Sequence, residues 1–417
     1  RLYKRRYFGL IQLILLNIIV SWDWVTYTVV PTTASEYLGV SDNAITWLST
    51  AFMLAYCGSA LFVFHAVDRF GLKGTNIITS LLLFVGNWIR YVGTIERVNN
   101  YGVVMFGQVV IGLAQPFCLS TPSKYSDTWF SSNGRTSATA IATLANPLGA
   151  AIAQFANPSL AATPDQVPQM VLVISIISTV GAIPSFFIPS KPPTPPSSTE
   201  VIEKIRVFDA LKGIIKTREL WLLMLPFAIY VALFNTVVTL INQAIIPYGA
   251  TETQAGIAGG ILIGAGIVGT AIISPLNDRF KWHLWTVRIL FPISAVMYIA
   301  LIWAPASSLG IWPIYVVSAL MGAMSFGLSP VVLELLAETT FPYSPEVSST
   351  ISWLGGQVFG VVFIVVQSAL IAGPSANPPY NMTNSLIFGA VVSGVFLPFP
   401  LSLGFFGHRV KRNREEH

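Results

Sequence analysis

The sequence predicts an all-α membrane protein with twelve transmembrane helices in two pseudo-symmetric six-helix bundles. Three observations carry this. First, 10% of the 417 residues are Asp, Glu, Lys or Arg, 53% are hydrophobic, and mean hydropathy is +0.67. A soluble domain carries about 25% charged residues, so this chain lacks the polar groups to cover itself in water. Second, apolar windows of the ~20 residues needed to cross a hydrocarbon core recur twelve times. Third, Asp68-Arg69-Phe70 returns as Asp278-Arg279-Phe280, 210 residues later, each copy closing the second apolar window of its half. A charged turn repeated at half-length marks an internal duplication, as in secondary transporters.

The first six windows are approximately 8–30, 44–66, 76–95, 101–123, 134–156 and 168–190. Window 1 follows Arg1, Lys4, Arg5 and Arg6. It runs past the length of a cleavable leader's apolar core and reads as a membrane span. Window 2 ends at the first Asp-Arg turn, and window 3 opens beyond Lys73. Lys124 and Arg135 separate windows 4 and 5. After window 6, Lys191 and the run Pro192-Pro193-Thr194-Pro195-Pro196 open a segment that becomes amphipathic and basic up to Glu219. It reads as a cytosolic linker at 191–219, joining bundles at 1–190 and 220–417, the second with a short cytosolic tail. The second six windows are approximately 220–247, 254–276, 285–304, 311–333, 347–372 and 384–406. Prolines inside them and the first six (Pro116, Pro147, Pro226, Pro292, Pro330, Pro398) predict kinks. Gly256, Gly260 and Gly264, and again Gly356 and Gly360, form small-residue stripes that let helix backbones approach closely.

On this division 21 of the 23 Lys and Arg residues fall at the termini, in the linker or in the turns on the same side. Only Arg90 and Arg97 are left for the other side. The positive-inside rule then puts both termini in the cytosol, with the plasma membrane as the default location and a vacuolar or lysosomal membrane as the alternative. The sequon Asn381-Met382-Thr383 falls outside on this topology. The sequence pI near 9.1 follows from this asymmetry and needs no nucleic-acid partner. Cys57 and Cys118 lie in apolar windows and read as buried thiols. The four histidines fall at window ends, and no nucleotide loop, metal-ligand spacing or nucleophile–base arrangement is apparent. Neither an enzyme nor a cofactor is expected; the partners are a small-molecule substrate and the lipid bilayer, and the chain is expected to act as a monomer.

Asp23 is the costliest residue of the first half, since an ionised carboxylate at membrane depth costs about 3 kcal/mol or more. It should face a watery cavity or a partner. At 100° per residue Asp23, Trp24 and Tyr27 share one helix face, and an acid among aromatic rings suits an organic cation. The alternative is an acid tied to a neighbouring helix by hydrogen bonds. Asn87, Gln108, Gln115, Asn146, Asn235, Asn242, Gln243, Gln357 and Gln367 also lie at depth, and most are expected to bond between helices. Asn235 (after Phe234) and Gln357 lie near mid-span, where a cavity would be lined.

The paired Asp-Arg turns resemble the loop signature of the major facilitator superfamily, which implies a gating role for Asp68, Arg69, Asp278 and Arg279. Phe64 and Ser274 stand where that family usually has glycine. Glu334 and Glu338, at the same end of window 10, are expected to pair with Arg279 or Lys281. Further stretches resemble the feline leukaemia virus subgroup C receptor-related transporters. They include Trp24-Val25-Thr26-Tyr27, Met53-Leu54-Ala55-Tyr56, Pro122-Ser123-Lys124, Thr239-Leu240-Ile241-Asn242-Gln243, Glu338-Thr339-Thr340-Phe341-Pro342 and Gln357-Val358-Phe359-Gly360. That family is associated with choline and ethanolamine transport, with haem export proposed and a pyridoxine carrier among its relatives. The resemblance implies a central cavity lined by windows 1, 5, 7 and 11, with Trp24 and Phe234 contributing to an aromatic cage and Asn146 close to it. Asn235 stands where choline-binding members have tyrosine, Pro147 replaces a glutamine, and Asp23 replaces a neutral glutamine.

The expected activity is alternating-access transport of a small organic solute, foremost a choline- or ethanolamine-like cation. Proton-coupled movement of another metabolite, pyridoxine-like or haem, and a receptor without turnover are the alternatives.

Overall fold

The computed structural model describes residues 4–130, 132–189, 207–280, 282–340 and 345–403. The first half forms α1 (Arg5–Val25), α2 (Pro31–Leu38), α3 (Asp42–Ala60), α4 (Val63–Thr94), α5 (Tyr101–Trp129), α6 (Ser132–Leu160) and α7 (Val167–Ala182). The second forms α8 (Val207–Lys216), α9 (Arg218–Ile245), α10 (Glu252–Phe280), α11 (His283–Trp303), α12 (Trp312–Thr340), α13 (Pro345–Ala369), α14 (Thr383–Phe396) and α15 (Pro398–Leu401). Each of the twelve sequence windows falls mainly on one helix, in order α1, α3 to α7 and α9 to α14. Ten of these are apolar enough throughout to cross a membrane on composition alone. The other two, α3 and α6, carry more polar residues, such as Asp42, Asn43, Thr46, Ser49 and Thr50 in α3.

Window boundaries shift in places: window 2, at 44–66, runs past the end of α3 at Ala60 into the start of α4 at Val63. Window 1 extends to residue 30, but α1 stops at Val25. Pro31 has no N–H to give and begins a separate short helix, which Gly39 closes in the left-handed region at φ 66°. Window 12 extends to residue 406, but α14 ends at Phe396, and Pro398 starts a new short turn of helix. The other predicted prolines, from Pro116 to Pro330, lie inside long helices.

The chain divides into two compact units, Arg1–Glu200 with Ala255–Gly260, and Val201–Gln254 with Ile261–His417. Their internal packing repeats. In the first unit α1 packs on α6, α4 on α5 and α4 on α7; in the second α9 packs on α13, α11 on α12 and α11 on α14. Small residues set the close approaches. A side chain on Gly149 would strike the Ile18 backbone, so α1 and α6 touch main chain to main chain there. In the second unit Gly322 lies against Leu262, and Gly356 against Val231. In the first unit, Leu16, Ile19 and Val20 of α1 bury against Phe52, Leu83, Ile111, Ala114 and Cys118. Cys57 is only half-buried, in contrast to the expected burial of both thiols.

Large apolar side chains stand exposed along the spans, among them Leu81, Phe84 and Val85 on α4 and Val268, Ile272 and Leu276 on α10. Such surface belongs in lipid. Buried hydroxyls mostly bond back to the carbonyl four residues earlier, as Thr50 does to Thr46 and Ser352 to Ser348. Such bonds satisfy a hydroxyl without water.

Candidate functional site

The last turn of α1 ends inside the first unit, and a helix end leaves carbonyls without intrahelical partners. Away from water those carbonyls need donors from elsewhere. Arg90 of α4 and Gln108 of α5 supply them. Arg90 Nη1 donates to the Asp23 carbonyl at 3.1 Å; Gln108 Nε2 donates to the same oxygen at 3.0 Å and to the Trp24 carbonyl at 3.4 Å. Thr26 Oγ1 donates to the Trp22 carbonyl, and Asn157 Nδ2 of α6 to that of Thr26. A cation at a helix C-terminus also meets the negative end of its dipole.

The same arginine pairs with the carboxylate. Arg90 Nη2 lies 2.7 Å from Asp23 Oδ1, and both side chains are fully buried. Asn87 Nδ2 donates to Asp23 Oδ2 at 2.7 Å, while Asn87 Oδ1 accepts from Arg90 Nη2 at 2.6 Å and Gln108 Oε1 from Arg90 Nη1 at 2.9 Å. The guanidinium carbon stands 5.6 Å from the centre of the Tyr27 ring. Two opposite charges, two amides and one aromatic face thus close on themselves.

This geometry bears on three expectations. Asp23 has no exposed surface and already holds a cation, so it is not an open carboxylate awaiting one; the bonded alternative is the geometry observed. Tyr27 is likewise buried with its ring turned to Arg90, so it shares no open face with Trp24. Arg90, counted by elimination for the far side, is buried within the bundle toward the end of α4 opposite the Asp-Arg turn. Its partners Asn87 and Gln108 were legible as polar groups at depth. The overlooked signal for Arg90 was its position three residues after Asn87 within window 3, on the same helical face.

Trp24 keeps part of its surface free and packs beside the α1 core cluster. Its indole N–H has no acceptor among the described residues. Asn146, half-buried on α6, reaches Asn17 Oδ1 at 3.4 Å and Gln115 Oε1 at 3.5 Å through its amide nitrogen. The close approach of Ile18 and Gly149 brings Asn17 and Asn146 together. In the second unit Phe234 on α9 is buried against Phe326 of α12, edge to face at 4.8 Å. Asn235 on α9 and Gln357 on α13 are each half-buried, on the two helices that pack along Val231 and Gly356.

At the repeated turns, Arg69 and Arg279 are exposed. Each guanidinium lies over the next residue's ring, 5.9 Å from Phe70 and 5.5 Å from Phe280. Gly71 follows the first triplet at φ 67°, breaking α4 where windows 2 and 3 meet. The side chains of Asp68, Asp278, Glu334 and Glu338 lie outside the described residues, as does Lys281. No group of three or more metal-ligating side chains occurs among the described residues.

Residues 13–374 match the Major Facilitator Superfamily. The choline/ethanolamine transporter flvcr2a of Danio rerio is 28% identical over 387 residues, covering 89% of this chain and 82% of the relative. The choline/ethanolamine transporter FLVCR1 of Felis catus is also 28% identical, over 88% of this chain and 68% of its own. Solute carrier family 49 member A3 of Xenopus tropicalis is 25% identical over 99% and 89%. Among solved structures, a bacterial homologue of the human lysosomal transporter Spinster superposes with a TM-score of 0.74 at 16% identity, covering 96% of this chain and 97% of the other. The D-xylose-proton symporter gives 0.68 at 13%, covering 94% and 97%.

Proposed function

The chain belongs to the Major Facilitator Superfamily, and from that premise we propose that this multi-pass membrane transporter carries a small ammonium compound of the choline or ethanolamine type. The observation that carries the reading is Trp24, which is only partly buried on α1 while the neighbouring charges of Asp23 and Arg90 pair with each other. A tryptophan face attracts an ammonium through its quadrupole without any carboxylate. Two relatives named as choline/ethanolamine transporters support the same class.

In this reading Trp24 and Asn146 are the substrate contacts of the first unit, and Phe234, Asn235 and Gln357 those of the second. Asp23 and Tyr27 stand behind Trp24 as support. The bundles at 1–190 and 220–417 are the moving bodies, joined by the linker at 191–219. Asp68, Arg69, Asp278 and Arg279, with Glu334 and Glu338, gate the cytosolic side. The bias of basic residues supports cytosolic termini, and we place the protein in the plasma membrane as a monomer.

Uptake into proteoliposomes of choline, ethanolamine, pyridoxine and haem, each with and without an imposed proton gradient, tests the proposal. Saturable uptake of choline or ethanolamine without a proton gradient is expected. Uptake of pyridoxine or haem alone, or accumulation only under a proton gradient, would overturn it.

A further inference from the structure

We infer that Asp23 and Arg90 are positioning residues: a charge-neutral cap on the end of α1 that fixes Trp24, rather than groups that meet the substrate. The inference rests on the reading of Trp24 as a substrate contact. Three observations carry it. Both side chains are fully buried, so neither can be reached by a solute in this arrangement. Arg90 and Gln108 hold the main chain of residues 23 and 24 directly, through the carbonyls that the end of α1 leaves without helical partners. Finally, both carboxylate oxygens of Asp23 already accept hydrogen bonds, Oδ1 from Arg90 and Oδ2 from Asn87, while Asn87 and Gln108 accept from the same guanidinium.

The physical logic is one of mutual need. An arginine inside a membrane bundle persists only with a partner or water. An α1 that ends within the bundle needs donors for its last carbonyls. Asp23 allows Arg90 to be there, and Arg90 caps the turn that carries Trp24. The charge pair therefore acts on the substrate only through the tryptophan's placement. The same cancellation leaves the ammonium's attraction to aromatic and amide groups.

The test uses the full-length protein labelled with 5-fluorotryptophan, with the Trp24 fluorine resonance assigned by Trp24→Phe. The variants are Asp23→Asn, Arg90→Gln, the double Asp23→Asn/Arg90→Gln, and Gln108→Met. Each single charge change is expected to shift or broaden the Trp24 resonance and to raise the choline KM by about tenfold, as a displaced contact does. The double variant, which leaves no bare charge and can still bond amide to amide, is expected to regain the parent resonance, melting temperature and KM. Gln108→Met keeps both charges and covers the case in which a single charge change prevents folding. It should move the Trp24 resonance with a smaller fall in melting temperature. A double variant with a KM as poor as that of Asp23→Asn would make Asp23 the substrate's counter-ion and overturn the inference. Lower melting temperatures with an unmoved Trp24 resonance would also overturn it, leaving the pair a purely structural one. If the parent takes up no choline, the substrate reading fails by itself, and the fluorine resonance still decides the role of the pair.

Discussion

The guanidinium of Arg90 sits 2.7 Å from the carboxylate of Asp23, and neither side chain has exposed surface. Breaking such a pair by removing one partner typically costs about 3–5 kcal/mol, because the remaining charge stays buried. Arg90 reaches four acceptor atoms on Asp23, Asn87 and Gln108. A lysine keeps the charge but has a single nitrogen and no planar fork. Arg90→Lys is therefore expected to lower the melting temperature of the detergent-solubilised protein clearly. An unchanged melting temperature would mean that charge alone is needed there.

Tyr27 faces Arg90 with its ring, and its hydroxyl has no partner among the described residues. Tyr27→Phe should thus leave stability within about 0.5 kcal/mol of the parent, since it removes no bond. Tyr27→Leu loses the ring face and should cost about 1–2 kcal/mol. Denaturant titrations of both variants check this, and equal losses would remove the aromatic contribution.

The turn between windows 2 and 3 depends on Gly71, whose φ of 67° suits glycine. Gly71→Ala should destabilise by about 1 kcal/mol or more. Gly264 of α10 has no neighbour within 4 Å of where a side chain would start, and Gly264→Ala should be neutral or stabilising. A Gly71→Ala variant as stable as Gly264→Ala would contradict the backbone argument.

The gate proposal predicts a shift in population. Asp68→Asn should favour the inward-open state, so a cysteine placed near Asn146 becomes more reactive toward a membrane-impermeant thiol reagent from the cytosolic side. Unaltered reactivity in a well-folded variant would count against a gating role for the Asp-Arg turns.

Much of the fold was legible because lipid imposes a simple length rule on apolar runs, and because the Asp-Arg-Phe triplet repeats at half-length. The end of α1 was less legible. Thr26 to Val30 are apolar enough to continue a span, and only Pro31 hinted at a break. At the candidate site, Asp23 stood out as a buried acid, but helical spacing on one segment could not identify its partner. Arg90 lies 67 positions away, and its relation to Asp23 depends on how α4 packs beside α1. Trp24 and Tyr27, neighbours on a helical wheel, differ for the same reason: Tyr27 is buried with its ring against Arg90, and Trp24 is only partly buried.

The most direct measurement is choline affinity of purified parent, Trp24→Phe and Trp24→Ala, read by equilibrium binding of radiolabelled choline. The attraction resides in the ring face, worth on the order of 1–2 kcal/mol when desolvated. Trp24→Phe should therefore retain measurable affinity, and Trp24→Ala should lose at least about tenfold. Equal affinity in all three, or no choline binding by the parent, would contradict the account.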